Sequence, residues 1–319
     1  MRQADSALGQ LVDVLRAHPG LRGKAAIGLV SDVLGASDWL AGPGDDGAVV
    51  DAFGGHVVAC GEALWPPFVR ADPDGAGFAA VLTNVNDLAA MGATPLGIVD
   101  TIVATEDIAR AALEGMRRAC ELYRLPILGG HLTPHDGEPA VSAFGVGSTR
   151  HPLSVNRMAV GQSLLVACAL DGTMRPDFPF FPAFEQRGQR CAGDVRVLAE
   201  VAASGACVAA KDISMAGLVG SLAMLLERGA FGVTVDLDTV PVPAGVALEE
   251  WLTCFPSFGF LLCAPAGREA ELAAAFTDRG LHAAVVGRLD DSGVLALRRG
   301  GETATVFDLA TTTITGLAR

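Results

Sequence analysis

TNVNDLAAMGATPLGIVD, residues 83–100, is the stretch on which the fold of this chain is decided. Together with Phe78, Val81 and Leu82 just before it, Val85, Leu88 and Ala89 recur at three- and four-residue steps, the stripe of a buried helix. Asn84, Asn86 and Asp87 crowd polar groups into the middle of that helix. Asn and Asp are poor helix-interior residues because their side chains compete for backbone hydrogen bonds. A helix needing only to pack would use Ala, Glu or Lys there. Three amide or carboxylate groups in four residues point to work that needs oxygens, such as holding a metal or a phosphate. The competing account is a solvated polar face opposite the core stripe.

Outward from this helix, strands and helices alternate. Ala48–Val50 and Val57–Cys60 form an apolar hairpin with Gly54-Gly55 at its turn. The helix, expected over Gly77–Met91, is followed by a strand over Leu96–Val103 and a helix over Glu106–Tyr123. Strands Ile127-Leu128 and Val141–Val146 flank the loop GGHLTPHDGEP. Upstream, Ser6 caps a helix with Leu8, Leu11, Val12 and Leu15 on one face, and a second helix stops at Gly35. A break from His151-Pro152 to Arg157 opens the second half. There the apolar run Ser163–Ala169 suits a buried strand, and KDISMAGL leads into a helix over Leu218–Arg228. Asp171–Arg190 has no period and is expected to be a long loop, able to close over a site. The expected class is α/β (α+β) in layers. The expected division is a helical extension at 1–40 and domains at 41–150 and 151–319.

Composition narrows the function. The 319 residues are 50% hydrophobic and carry a net charge of -13, with no Lys/Arg-rich block, which excludes a nucleic-acid footprint. An acidic protein that handles an anionic substrate needs a cation to mediate the contact. Seven scattered cysteines, with no C-x-x-C pair, give neither a disulfide framework nor zinc spacing and fit a reducing compartment. No uninterrupted apolar run is long enough to span a bilayer. The expectation is a soluble cytoplasmic protein without nucleic-acid or membrane partners.

Five local features carry candidate chemistry. Asp45 and Asp46 stand side by side in a Gly-rich turn, a pairing best tolerated with a cation between the carboxylates, although Asp-Gly is also a common turn. Glu62 follows a strand, a place for a ligand or simply a surface carboxylate. Asn84 and Asn86 suit a nucleotide, and Asp87 suits Mg²⁺. Gly129 and Gly130 let a backbone approach a ligand, with His131 and Thr133 placed to touch phosphate or substrate; a plain turn explains them too. Lys211 and Asp212 precede Ser214 at a helix start, where Asp212 either caps the helix or binds Mg²⁺. There is no P-loop, protein-kinase motif set, nucleophile elbow or H-E-x-x-H pair.

Taken in order, these segments resemble the aminoimidazole-ribonucleotide-synthase-like superfamily. That group includes thiamine-monophosphate kinase, selenophosphate synthetase, a hydrogenase-maturation dehydratase and formylglycinamidine synthase. GDDGAVV (44–50) is similar to the kinase's G-D-D-A-A-V, and NVNDLAAMGATP (84–95) to the superfamily's N-x-x-D-L-A-A-M-G-A-x-P. ILGGHLTPHDGEPAVSAFGVG (127–147) resembles G-G-H-[ST]…E-P, and KDISMAGL (211–218) resembles D-[IV]-[ST]-x-x-G-L.

The resemblance implies two α/β domains, a homodimer formed through the N-terminal sheet, and ATP held through Mg²⁺ in a cleft. It implies Asp45, Asp46, Glu62, Asp87 and Asp212 as metal ligands. Asn84, Asn86, Gly129, Gly130, Thr133 and Lys211 would line the nucleotide, and Asp87, Asp212 and His131 would stand nearest the chemistry. The departures are specific. LRGKAAIGLVSDVLG (21–35) has Lys24 but lacks the reactive cysteine of selenophosphate synthetase. The chain runs to TTTITGLAR, without the Cys-bearing tail of the hydrogenase-maturation protein. His131 and Met215 stand where thiamine-monophosphate kinase has Asp. The expected function is therefore a subfamily apart from these four reactions, a Mg-ATP-dependent kinase or synthetase acting on an oxygen of a small metabolite. The alternative is a nucleotide- or metabolite-binding regulatory or scaffold protein that has lost catalysis.

Overall fold

The computed structural model describes residues 6–35, 44–52, 54–215 and 217–317. The chain opens with α1 (Ala7–Ala17), α2 (Pro19–Arg22) and α3 (Gly28–Leu34). The hairpin β1 (Ala48–Ala52) and β2 (Gly55–Ala63) precedes α4 (Pro66–Ala71) and α5 (Pro73–Ala90). Then come β3 (Thr94–Ala104), α6 (Glu106–Tyr123), β4 (Ile127–Pro134) and β5 (Ala140–Thr149). β6 (Ser163–Cys168) and the short β7 (Phe180–Phe181) lead to α7 (Phe184–Arg187), α8 (Cys191–Asp194) and α9 (Val197–Ser204). β8 (Ala209–Asp212) is followed by α10 (Gly217–Glu227), β9 (Val233–Asp236), α11 (Leu248–Thr253), β10 (Phe255–Pro256) and β11 (Gly259–Ala264). Last are α12 (Glu269–Thr277), β12 (His282–Arg288), β13 (Val294–Arg299) and β14 (Glu302–Asp308). Among the described residues, no helix is long and apolar enough to cross a membrane.

The chain divides into two compact units. One holds residues 46–152 and 187–203; the other holds residues up to Asp45, then 153–186 and 204 onward. The first is built on a five-stranded sheet of order β1-β2-β5-β3-β4. β3 and β4 are parallel and joined through α6, while the other pairs are antiparallel. Helices α5 and α6 supply the layer over one face, where Val58, Ile98, Ile102, Val141 and Ala143 are buried. The two helices touch backbone to backbone. A Cβ at Gly77 would overlap the Ala112 carbonyl, and one at Gly115 would overlap the Asp74 carbonyl, so only glycine allows the approach. α5 starts at Pro73, four residues before the periodic pattern does. Asp72 caps it, accepting from the Gly75 N–H at 2.9 Å, and Pro73 fits the first turn. The segment 187–203 returns to this unit, with a buried Arg187–Asp194 pair at 2.6 Å and α8 packed on α6.

Among the described residues, the opposite face of this sheet is largely exposed. Register places Val50, Ala59, Gly61, Phe144, Thr101 and His131 on it, and all six are exposed. β4, the edge strand, is exposed at every residue.

The second unit holds a four-stranded antiparallel sheet, β12-β6-β11-β8, with β6, β11 and β8 buried at every position. It also holds a three-stranded sheet, β14-β13-β9. α10 is buried along its whole length. Helices α1 to α3 belong to this unit: Arg16 on α1 donates to the Thr305 and Val306 carbonyls of β14 at 2.9 and 2.7 Å. Glu227 at the end of α10 accepts from the Ile314 N–H at 2.6 Å and the Thr315 hydroxyl at 2.8 Å. The 171–190 stretch is anchored rather than loose. β7 pairs with β10, and Phe181 meets Trp251 edge-on at 5.2 Å.

Candidate functional site

Asp45 and Asp46 are neighbours in sequence with separate work. Asp45 Oδ2 accepts from the Ser154 hydroxyl at 2.7 Å, and Oδ1 accepts from the Val155 N–H at 2.8 Å. Both oxygens thus hold the start of the second half of the chain, at Ser154 and Val155. Asp46 belongs to the five-stranded unit. The following Gly47 lies so close to the Met91 side chain, just past α5, that a Cβ would sit 3.2 Å from it. That approach brings Asp46 to the C-terminal end of α5, where Asp87 projects. One oxygen of each carboxylate lies within 4.8 Å of the other, both residues being half-buried. Two hard, anionic oxygens this close repel unless a cation lies between them, and side-chain rotation brings both into the shell of one divalent ion. The residues fit Mg²⁺ by donor type and spacing.

Asn84 is bonded within the protein. It is fully buried, and both ends of its amide are used. Its Nδ2 donates to the Ala80 carbonyl (2.7 Å) and the Ala143 carbonyl (3.1 Å), and its Oδ1 accepts from the Gly145 N–H (2.7 Å) and the Cys60 thiol (3.2 Å). It pins α5 to β5 and so fixes where Asp87 stands. The polar cluster of the helix is therefore divided between a buried pin, Asn84, and a half-buried carboxylate, Asp87. Asn86 is fully buried as well. Glu62 lies on the helix-covered face of β2, opposite Ala143, and is half-buried.

The Gly129-Gly130-His131 segment is strand, not loop. His131 pairs with Thr101 and shares its bare face, away from the face that carries Glu62 and Asn84. Thr133 is exposed on the same strand. Gly130 has a packing reason: a Cβ there would overlap the carboxylate of Asp100 on β3. Asp100 is a residue that periodicity analysis passed over. It is buried on the helix side of the sheet, and burial holds its carboxyl above the usual range while a bond from its own N–H works the other way. Burial, then Asp100, then Glu121 push the Cys120 thiol up to about 11. The signal was present in sequence as one acid in the apolar run LGIVDTIV, in phase with the buried Ile98 and Ile102.

In the four-stranded unit, Lys211 and Asp212 end β8. Both are buried, with Nζ 3.3 Å from Oδ1. The Ser214 N–H donates to Ser221 Oγ at 3.0 Å, and Gly217 at φ +65 lies where a Cβ would overlap the Leu252 carbonyl.

A mixed sheet backed by two glycine-crossed helices, an acidic corner at the end of one of them, and a second layered α/β unit define a two-domain α/β class of protein. The model described as "AIR synthase related protein, N-terminal domain" matches residues 44–149, and its C-terminal counterpart matches 183–300. The chain belongs to the AIR synthase related protein family. "Uncharacterized protein sll0787" of Synechocystis sp. is 32% identical over 265 residues, covering 82% of each chain. Among solved structures, the T. maritima PurL complex with ATP matches 86% of this chain at TM-score 0.72 and 19% identity. The AaThiL complex with AMPPCP and TMP matches 88% of this chain and 96% of its own, at TM-score 0.67 and 20% identity. This chain spans about half the length of the PurL chains it matches. These likenesses show a shared fold, and the neighbours are captured with adenine nucleotides or an analogue.

Proposed function

We propose that this protein is a Mg-ATP-dependent enzyme that transfers a phosphoryl group to an oxygen of a small metabolite. The observation that carries the reading is the Asp46–Asp87 pair, two half-buried carboxylates within 4.8 Å in an acidic chain. An ion held there would supply positive charge against a polyphosphate. Asp46 and Asp87 would hold the ion. Glu62 is a further candidate by its place on the same sheet face as Asn84's partners, and Asp212 is a candidate ligand by the motif in which it stands. Asn84 acts through Asp87, as a positioning residue. Positioning and charge neutralisation supply most of the catalysis of phosphoryl transfer, so the chain needs no covalent nucleophile. The nucleotide-bound PurL and AaThiL structures of the same fold support this reading.

The bare face of the five-stranded sheet supports a homodimer. Val50 and Phe144 on it are 60% and 43% exposed, and apolar sheet faces of this kind are covered in stable proteins. In that dimer His131 would face the second copy.

A second reading, nucleotide binding without turnover, draws on His131, which stands on the bare face where the similar kinase has a carboxylate. The two are separated by ATP consumption measured against pooled small metabolites. Turnover that disappears in Asp87→Asn, with the melting profile kept, is the expected result. Unchanged turnover in that variant would sink the proposal, and nucleotide binding with no turnover at all favours the second reading.

A further inference from the structure

An open sheet edge invites another strand, and proteins blunt such edges by shortness, charge, bulges or cover. Among the described residues, most edge strands are blunted. β1 is five residues long and carries Asp51. β7, β8, β9 and β10 are four residues or fewer. β12 is bulged between Val285 and Gly287, and Arg16 covers β14 through the Thr305 and Val306 carbonyls. β4 differs. It runs for eight residues, ILGGHLTP, without a Lys, Arg, Asp or Glu, and is exposed throughout. Its one sheet neighbour among the described strands is β3. Just past its end, the His135 N–H donates to the Ala104 carbonyl of β3 at 2.9 Å. By the alternation of a parallel ladder, His131 and Thr133 bond toward β3 as well, and Gly130 and Leu132 turn their backbone groups outward.

Beside this edge, between β4 and α6, lies a groove of about 600 Å³. Ala104, Ala109, Leu113, Leu132 and Pro134 give it an apolar lining, with Leu132 49% exposed. An open strand edge next to a helix flank is the geometry that accepts an added strand. The charged part of the lining is a row on α6: Glu106, Arg110, Glu114 and Arg117. Steps of three and four residues keep the row on one side of the helix. Its signs alternate, so the row is complementary to its own reverse. Set antiparallel, Glu106 meets Arg117 and Arg110 meets Glu114, and both pairings centre level with Ala111 and Ala112. A two-fold contact makes that match, because residue i of one copy meets j of the other and j meets i.

We propose that the β4 edge and the flank of α6 form a self-association surface whose occupant is a second copy of this chain. The β4 strands of the two copies pair antiparallel, and the two α6 rows face each other across the joined grooves. Gly130 and Leu132 gain backbone partners, the Leu132 side chain is covered, and the charge row fixes the register. An extended segment of another protein would satisfy the strand edge but not the self-matching row. The surface lies along the edge of the five-stranded sheet, apart from its exposed face, and so stands whether or not that face dimerises. Exposed ion pairs are individually weak, so the contact forms at high protein concentration and loosens with salt.

The test is sedimentation velocity on the full chain, from about 1 to about 300 μM. Phe144→Asp serves as the background that removes the sheet-face contact. That variant should be monomeric when dilute and dimeric at the top of the range, less so in about 0.5 M salt. Adding Glu114→Arg sets like charges against each other twice in every contact and should weaken the association at least about tenfold. Adding Arg110→Glu to that chain restores opposite charges and should restore the association. Should this swap fail to fold, Glu106→Arg without and then with Arg117→Glu carries the same comparison. Should Phe144→Asp fail to fold, the substitutions are read in the otherwise wild-type chain, as loss and return of species beyond the dimer. A Phe144→Asp chain that stays monomeric at every concentration overturns the proposal and leaves the edge to an extended segment of another protein. Association that Glu114→Arg does not weaken, or that the swap does not restore, overturns the second copy as the occupant. A wild type that is monomeric when dilute, yet forms dimers that Glu114→Arg abolishes, supports this contact and removes the sheet-face dimer.

Discussion

The two larger sheets of this protein are built to different rules. In the four-stranded sheet, β6, β8 and β11 are buried at every residue, and their sequences are continuous apolar runs but for the Lys211-Asp212 end. In the five-stranded sheet, burial alternates: β5 reads exposed, buried, half-buried, buried along its length, and β4 is exposed throughout. A sheet buried on both faces is finished within its own unit. A sheet with one covered face is half of a layered structure, and its chemistry-bearing residues divide accordingly. Glu62, Asn84 and Asp100 belong to the covered side, while His131 belongs to the bare one.

The sharpest way to break that comparison is to place the same charge in each sheet. Leu262→Asp in β11 buries a carboxylate without a partner and should cost about 4 kcal/mol or more, enough to leave little folded protein. Circular dichroism melting checks it. Phe144→Asp on the bare face should leave the melting profile nearly unchanged in dilute solution but abolish dimerisation, read by light scattering after size exclusion. A monomeric wild type, or a Phe144→Asp variant that unfolds, would remove the distinction between the sheets.

A smaller effect sharpens the picture on the covered face. Asp100 has its folded-state carboxyl held above the ordinary range, first by burial. The sign follows from linkage. A carboxyl that binds its proton more tightly when folded stabilises the fold below the unfolded value, and loses that contribution as pH rises through the folded one. Asp100→Asn should therefore raise the melting temperature near neutral pH by about 2–4 °C and flatten its decline between acid and neutral pH. A variant that melts lower at pH 7 would mean that the carboxylate has a partner which depends on its charge.

Much of this architecture could be read from periodicity. The helix over Glu106–Tyr123 has the bounds expected of it, and β6 lies in the apolar run Ser163–Ala169. The family was legible in NVNDLAAMGATP and KDISMAGL, because spacing between polar and small residues survives where general similarity fades. The division of labour within those motifs was not legible. Asp45 and Asp46 are chemically identical in sequence, and only the partners Ser154 and Val155 of Asp45, over a hundred residues away, tell them apart. Asn84 looked like a ligand for the same reason: the Ala143 carbonyl and Gly145 N–H that use it lie about sixty residues on. Strand β14 and helix α4 went unread, being short or rich in residues without a clear period. Paired glycines usually mark a loop, but in the GGH segment Gly130 makes space for Asp100 inside a strand.

The account stands on Asp87 as a metal-bearing residue of a nucleotide site. Calorimetry with AMP-PNP, with and without Mg²⁺, on wild type and Asp87→Asn, tests that directly. Binding that requires Mg²⁺ and is lost in the variant, with Asn84→Ala losing stability instead, is the predicted result. Equal binding with and without Mg²⁺, or full binding by Asp87→Asn, would contradict it.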